Sequence, residues 1–134
     1  MSDYQFTLPL SVILKRKKTK DKKVSVNLNE FRSMHHRTYT EAKKAYCEAM
    51  SKQLNSVDCA SGKLHIHYDF YAGRNNSPDL DNFAGAAKKY LQDAMVNHGF
   101  IEDDNVNFIC SSSEKYCGVD RKNPRIEAFV SLID

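Results

Sequence analysis

Several features that define other classes of protein are missing from this chain of 134 residues. No segment approaches the ~18 uninterrupted apolar residues of a membrane-spanning helix, and the first residues have neither the basic nor the apolar region of a secretory leader. The four cysteines form no CxxC pair and no disulfide-framework spacing. We therefore expect a single cytoplasmic domain over residues 1–134, with reduced thiols and no membrane partner.

The cysteines leave one metal alternative open. Cys110 and Cys117, together with His65 and His67, would supply four ligands that suit zinc, although their spacing is not that of a known zinc finger or ribbon.

Charge is unevenly distributed along the sequence. Residues 1–44 carry eleven Lys and Arg against four Asp and Glu, and residues 45–134 carry nine against thirteen, so the two parts have net charges of +7 and −4. This asymmetry favours a polyanionic partner for the first part and bound cations for the second. The distribution alone does not identify that partner as DNA.

A dense basic run, residues 15–23, separates two segments with strand-like patterns. The first, Gln5 to Leu14, is apolar and predicts an edge strand interrupted near Pro9. The second resumes the alternation at Val24, so the run is expected to cap a β-hairpin. At such a tip Arg16, Lys17 and Lys18 would contact phosphates without reading sequence. The alternative is a solvated loop.

A second basic segment lies before a predicted helix. Thr38 and Glu41 have capping-box spacing, which predicts a helix from about Tyr39 to Leu54. Helix starts favour phosphate binding, so the segment supplies three further candidate DNA contacts: Arg32, His36 and Arg37. The alternative to DNA binding by this segment is that His35 or His36 acts as a general base.

The central strand should lead directly into the functional loop. Residues 62–72 alternate between apolar and polar side chains, and Arg74 follows as a candidate phosphate contact. Asp69 could join a metal cluster or be an ordinary carboxylate on the sheet face. With strands expected at 105–116 and 125–133, joined by a turn, the order predicts an α+β fold with two helices packed on a mixed β-sheet.

Acidic side chains lie at both ends of a second predicted helix. The helix is indicated by apolar residues at three- and four-residue steps from Leu80 to His98, and Gly99 can end it in the left-handed conformation. Asp79 and Asp81 lie at its start, and Asp103 and Asp104 follow its end. The two pairs can meet only if the backbone after Gly99 returns beside the helix, for which the alternation from Asn105 to Cys110 is a candidate. Carboxylate oxygens alone suit Mg²⁺ or Mn²⁺. The alternative is an exposed loop and an acidic turn.

These motifs resemble the signature of the RusA-like Holliday junction resolvases. The resemblance covers about a quarter of the sequence in detail, on the following residues: Pro78-Asp79-Leu80-Asp81-Asn82, Asp93-Ala94, Gly99-Phe100 and Asp103-Asp104-Asn105-Val106. It implies a homodimeric, Mg²⁺-dependent endonuclease of bacteria or phages that nicks four-way DNA junctions symmetrically. By position Asp79, Asp81 and Asp104 would hold the metal, with Asp103 beside them.

One position departs from the family pattern. The family usually places a lysine four residues after the second aspartate, where this sequence has Gly85. Lys88 is on nearly the same helix face as Asp81 and could reach back over Gly85, whereas Lys89 is expected to pair with Asp93 on the solvated face. We therefore assign the catalytic lysine to Lys88, keep Lys89 as a DNA contact, and leave open that neither acts.

The sequence thus predicts metal-assisted phosphodiester hydrolysis of branched DNA, in recombination, repair or phage DNA processing. A non-catalytic protein that binds DNA junctions and holds a structural cation is the second hypothesis.

Overall fold

The computed structural model describes residues 2–75 and 79–133. Pro78, which opens the acidic motif, lies outside the described residues. The elements run as follows: β1 (Tyr4–Leu8), β2 (Ser11–Leu14), β3 (Lys22–Ser25), α1 (Leu28–Ser33), α2 (His36–Asn55), β4 (Lys63–Ala72), α3 (Leu80–Asn97), β5 (Ile109–Val119) and β6 (Arg125–Ile133).

Four of these strands form one mixed sheet in the order β1-β6-β4-β5. β4 pairs antiparallel with β6 and parallel with β5, so that Tyr68 lies opposite Ala128 on one side and Glu114 on the other. β1 is one edge strand and β5 is the other. The predicted α+β class with a mixed sheet is confirmed, but the described residues contain three helices instead of two.

The core lies between one face of this sheet and the helices α2 and α3. Along β4 the buried and half-buried residues alternate as predicted, with Leu64, Ile66, Tyr68 and Phe70 inside. The opposite face of β4 is partly open and carries His65, His67, Asp69 and Tyr71. The helices contribute these fully buried large side chains to the core: Tyr46, Met50, Tyr90, Leu91 and Met95.

The predicted interruption near Pro9 is confirmed, and its two halves belong to different sheets. β1 ends at Leu8 in the four-stranded sheet, whereas β2 pairs with β3 in a separate two-stranded sheet. The backbone carbonyl of Leu10 accepts a 2.7 Å hydrogen bond from the N–H of Val26, which extends the β2–β3 pairing by one residue on each strand. The basic run connects β2 to β3, so the predicted hairpin with a basic tip is also confirmed.

α3 ends where the sequence predicts. Gly99 has a φ of 74°, in the left-handed region that favours glycine. The N–H of Phe100 donates to the C=O of Met95 at 2.9 Å, which satisfies one of the free carbonyls at the helix end.

The first two helices differ from the prediction. α2 begins at His36, and the Nδ1 of His35 caps it by accepting from the N–H of Arg37 at 3.1 Å, so the capping box at Thr38 is wrong. The short helix α1 was not predicted; the side chain of Asn27 caps it. Both predictions failed for the same reason. The hydrogen bond that starts each helix comes from a single side chain, Asn27 for α1 and His35 for α2, and neither residue belongs to a capping-box pattern.

The strands after the acidic loop also differ. Residues 105–108 form a turn, with the C=O of Asn105 accepting from the N–H groups of Phe108 and Ile109, both at 3.0 Å. The predicted strand start at Asn105 is therefore wrong. β5 and β6 do not pair with each other, because each lies on a different side of β4.

Over the described ranges, no helix combines the length and the apolar composition needed to cross a lipid bilayer.

Candidate metal and nucleic-acid site

The first acidic pair lies at the N-terminus of α3. Asp79 is the N-cap residue, and its Oδ1 accepts a 3.1 Å hydrogen bond from the N–H of Asp81. Both side chains are exposed. The partial positive charge of the helix N-terminus stabilises carboxylates at this end. Asp79 therefore has a structural role as the helix cap. Its Oδ1 atom makes the capping hydrogen bond, and Oδ2 does not take part in it.

The second acidic pair lies at the opposite end of the same helix. Asp103 accepts from the N–H of Asp104 at 2.7 Å and from the Asn105 side-chain amide at 2.9 Å, which folds the loop upon itself. Asp103 and Asp104 are both exposed.

A helix of 18 residues separates the two pairs, a length of about 27 Å at 1.5 Å per residue. β5 does run back beside α3, but it starts after the acidic loop and so carries later residues, not Asp104, toward Asp79 and Asp81. The predicted metal cluster of Asp79, Asp81, Asp104 and Asp103 within one molecule is therefore wrong. In residues 2–75 and 79–133 no three His, Cys, Asp or Glu side chains gather as a metal site requires.

The lysine assignments also change. The Nζ of Lys88 lies 3.4 Å from Glu114 of β5, so within one molecule it faces the sheet edge and does not extend toward Asp81. Asp93 contacts the Nζ of Lys43 at 3.6 Å instead of pairing with Lys89, whose side chain is exposed.

Gly85, where the sequence departs from the RusA-like pattern, is closely packed. A Cβ atom at this residue would lie 3.1 Å from the Cδ2 of Leu28, the first residue of α1. α1 therefore packs directly against α3 at this point, and the space over Gly85 that Lys88 would need is filled by Leu28.

The basic tip keeps two of its three predicted phosphate contacts exposed. Lys17 and Lys18 are exposed, whereas the guanidinium of Arg16 forms an ion pair with Glu41 of α2. Asp21 accepts from the N–H of Arg16 and from Lys15, each at 3.0 Å, and these two hydrogen bonds lower the pKa of its carboxyl. Arg16 thus fixes the tip on α2, and Lys17 and Lys18 present its charge.

The second basic segment is exposed at the junction of α1 and α2. His36 and Arg37 form the first turn of α2, as expected for residues near a helix start. Arg32 is in the last turn of α1 and not at a helix start. All three side chains are exposed, so the segment remains available to an anionic partner.

A groove of ≈ 990 Å³ runs between the hairpin, the end of β4 and the turn before β6. Arg74 and Lys23 line it and are exposed, as predicted for Arg74. Arg125 also lines it but is held by Asp120 at 2.9 Å and Glu127 at 3.2 Å, and it stacks on the Tyr71 ring at 4.0 Å. The groove is therefore cationic and lies near the start of α3.

A second cleft, of ≈ 720 Å³, lies between α2 and the acidic loop. Lys43 and Lys44 line one side, and Asp103 and Asp104 line the other. The sequence analysis did not identify this cleft. The available signal was the i, i+4 spacing of Lys43 and Lys44 from Cys47 and Glu48, which also line it.

The open face of the sheet carries a hydrogen-bonded row. The ring of His67 lies 2.6 Å from Ser113 Oγ and 2.7 Å from Asp69 Oδ1, and His65 lies 2.7 Å from Ser111 Oγ and 3.1 Å from Ser113 Oγ. The prediction of Asp69 as a sheet-face carboxylate is confirmed. Ser113, His67 and Asp69 have the residue types of a nucleophilic triad, but they lie on a sheet face and line neither cleft.

The zinc alternative does not fit this arrangement. Both ring nitrogens of each histidine are engaged by hydroxyl or carboxylate oxygens. Burial, reinforced by the nearby Asp69 carboxylate, raises the pKa of the Cys117 thiol. A raised thiol pKa opposes the thiolate form that zinc requires.

Comparison of the sequence with protein-family models gives no match, and comparison with curated proteins gives none. The resemblance to the RusA-like resolvases therefore depends on the motifs alone.

Proposed function

We propose that the protein is a Mg²⁺-dependent endonuclease that acts on four-way DNA junctions as a homodimer, with Mn²⁺ as a substitute ion. The observation that supports this proposal is the pair of exposed acidic motifs at the two ends of α3. The first turn of α3, which begins after Asp79, reaches a groove lined by Arg74 and Lys23 through Phe83, and Asp103 and Asp104 line a cleft together with Lys43 and Lys44.

The donor set fits Mg²⁺ by its chemistry. All four side chains are carboxylates, the hard oxygen ligands that Mg²⁺ prefers. When bound, such an ion activates water and stabilises the charge that develops on the leaving oxygen of a phosphodiester.

The arrangement restricts how the donors can be combined. Because α3 holds the two pairs about 27 Å apart, Asp104 cannot share an ion with Asp79 and Asp81 of the same molecule. A site with all three aspartates therefore takes Asp79 and Asp81 from one protomer and Asp104 from a second. The proposed enzyme is accordingly inactive as a monomer.

The DNA contacts divide between two surfaces. Lys17, Lys18, Arg32, His36 and Arg37 extend over the hairpin tip and the α1–α2 junction, and Arg74 lies in the groove. Such contacts neutralise phosphates and give affinity that falls with salt, without sequence preference. In the single protomer, Lys88 is an ion-pair partner of Glu114 and is assigned no role in the chemistry.

The first test is cleavage of a synthetic four-way junction with Mg²⁺. We expect the parent protein to nick it, and Asp81→Asn and Asp104→Asn each to lower the nicking rate by about a hundredfold or more, the scale of losing one electrostatic group in an active site. Asp58→Asn removes an exposed carboxylate outside both motifs and should nick like the parent.

A non-catalytic junction-binding protein is the second candidate, and the separation of the acidic pairs within one molecule favours it. Junction binding by the parent with no nicking in Mg²⁺ or Mn²⁺ would establish this second function in place of the first.

A further inference from the structure

The hydrogen-bonded row on the open face of the sheet has His67 at its centre. Its Nδ1 lies 2.6 Å from the Oγ of Ser113, and its Nε2 lies 2.7 Å from the Oδ1 of Asp69. A nucleophile and its general base are recognised by a hydrogen bond of about 2.6–3.2 Å, with a third group that orients the base. Both distances meet this criterion, so the row contains a hydroxyl, a base and an orienting carboxylate in series.

The strand register holds these three side chains in place. His67 and Asp69 are two residues apart on β4 and therefore point to one face, and Ser113 lies opposite His67 on the parallel strand β5. On the other side of β4, the ring of Phe129 lies 6.3 Å from the His67 ring. The side chains of His67 and Asp69 are 32% and 20% exposed. Because the row is built on paired strands, its geometry is set before any reaction.

The proton positions follow from which groups can donate. A carboxylate accepts, so the Nε2–H of neutral His67 donates to Asp69 and leaves Nδ1 to accept from the Ser113 hydroxyl. His65 continues the row in the same direction, with its Nε2 3.1 Å from the Oγ of Ser113 and its Nδ1 2.7 Å from the Oγ of Ser111. Hydrogen bonds that run one way along a chain strengthen one another. The hydroxyl proton of Ser113 is thus directed at the base.

We propose that Ser113 is an activated nucleophile that attacks small activated acyl esters, with His67 as its general base and Asp69 as the residue that positions His67. The Oγ of Ser113 bonds to the acyl carbon, the ester C–O bond breaks, and the Oγ proton passes through Nδ1 of His67 to the departing alkoxide. The products are O-acylated Ser113 and an alcohol. Water then attacks the acyl group, and its proton returns to Oγ through His67 as the carboxylic acid leaves.

The charged neighbours on this face leave the Asp69 carboxylate to the base. Glu127 lies opposite Asp69 on β6, but the Nε of Arg125 contacts it at 3.2 Å and compensates its charge. Lys115 lies opposite Asp69 on β5, two residues after Ser113 and on the same face. A cation in this position is suited to stabilise the negative charge that develops on the acyl oxygen.

The nearby thiol does not compete as the nucleophile. Burial, followed by the Asp69 carboxylate, raises the pKa of Cys117. Because the thiolate is the reactive form of cysteine, a raised pKa lowers the reactivity of this thiol. The hydroxyl of Ser113 is therefore the group on this face that its surroundings activate.

The position of the row limits the class of substrate. Ser113 lines neither of the two clefts described above, so the substrate reaches it across the sheet face. Binding of remote parts of a large substrate therefore contributes little to the reaction, and the leaving group has to be good on its own. Nitrophenyl esters and fluorophosphonates meet this requirement.

Labelling with a fluorophosphonate probe tests the nucleophile. The Oγ atom bonds to phosphorus and fluoride leaves with the proton, so peptide mass spectrometry identifies the modified residue. We expect the parent to be labelled at Ser113 and Ser113→Ala to lose the label. Ser111→Ala is the matched control, because it removes a hydroxyl of the same row and leaves both hydrogen bonds of His67 intact. This control and Cys117→Ser should be labelled at about the parent's rate.

The base and its positioning residue are tested by labelling rates. His67→Gln and Asp69→Asn should each lower the rate by about a hundredfold or more, the scale of general-base catalysis. Asp69→Asn places an amide donor beside Nε2 and turns the ring proton toward Ser113. The parent's rate should rise with pH as His67 loses its proton, and this rise should be absent in Asp69→Asn. Circular dichroism should show the parent's fold for both variants.

Two results would overturn the proposal: a parent that is not labelled at Ser113, or a folded His67→Gln that is labelled at the parent's rate. The inference is independent of the proposed endonuclease function, because the row shares no residue with the acidic motifs or with the assigned DNA contacts. Ser113→Ala should therefore nick junctions as the parent does, and the failure of either proposal leaves the other in place.

Discussion

The two edges of the sheet are completed by different means. At β1 the backbone of Thr7 is bonded by Gln53, a side chain from the same molecule's helix α2. At β5 the outer backbone groups have no such cover within the described residues. An edge that is satisfied internally contributes to folding, whereas an edge left free is available for association. The comparison shows that a side chain of the same molecule covers the backbone at one edge, whereas the described residues give no such cover at the other.

The largest effect should come from opening the closed edge. Gln53→Ala leaves the N–H and the C=O of Thr7 without their partner, and at about 1 kcal/mol for each hydrogen bond we expect the free energy of unfolding to fall by about 2 kcal/mol. Urea denaturation measures the change. Gln53→Glu keeps an acceptor for the N–H but loses the donor to the C=O, so its loss should be smaller. Equal stability of Gln53→Ala and the parent would show that Gln53 does not close this edge.

The next effect concerns the hairpin tip, which is fixed to α2 on the side away from β5. Replacing Lys17 and Lys18 with glutamine removes two exposed charges. The slope of log affinity against log salt should decrease in magnitude by about 1.8, with junction binding weakened by roughly tenfold.

Filter binding at several salt concentrations measures this slope. Lys52→Gln with Lys63→Gln is the matched control, since it removes two lysines elsewhere that are exposed. A slope that decreases equally in both double variants would mean that the tip makes no specific contribution to phosphate binding.

The smaller effect on folding stability should occur at Asp79, where a structural and a proposed chemical role coincide. Asp79→Ala removes the cap of α3 and should cost about 1 kcal/mol of unfolding free energy, whereas Asp79→Ser keeps a capping oxygen and should cost less. Both substitutions remove the carboxylate, so both should lose junction nicking. Thermal unfolding and the cleavage assay separate the two roles; nicking by Asp79→Ser at the parent's rate would remove Asp79 from the metal site.

Local patterns predicted much of the fold because they record which side chains are buried. The alternation along β4, the end of α3 at Gly99 and the basic hairpin tip all depend on residues near each other in sequence. The turn at 105–108 was missed because the side chains of Asp103 and Asn105 bond nearby backbone groups, and such bonds compete with a strand.

The arrangement of the site was less predictable for a different reason. The motifs identify the acidic residues. The distance between the two acidic pairs, however, depends on the path that the backbone takes after Gly99, and the sequence does not determine that path. The order of the strands, which leaves β5 outermost, is set by tertiary packing and is invisible to periodicity. Likewise the contact of Leu28 with Gly85 depends on α1, a helix too short to show an apolar repeat.

That contact has a mechanical consequence. With no side chain on Gly85 to hold the helices apart, α1 rests on the second turn of α3 and cannot slide along it without lifting Leu28 from Gly85. Arg32, in the last turn of α1, therefore belongs to a helix that packs directly on the helix that begins with the first acidic pair, and a larger side chain at Gly85 would require Leu28 to move.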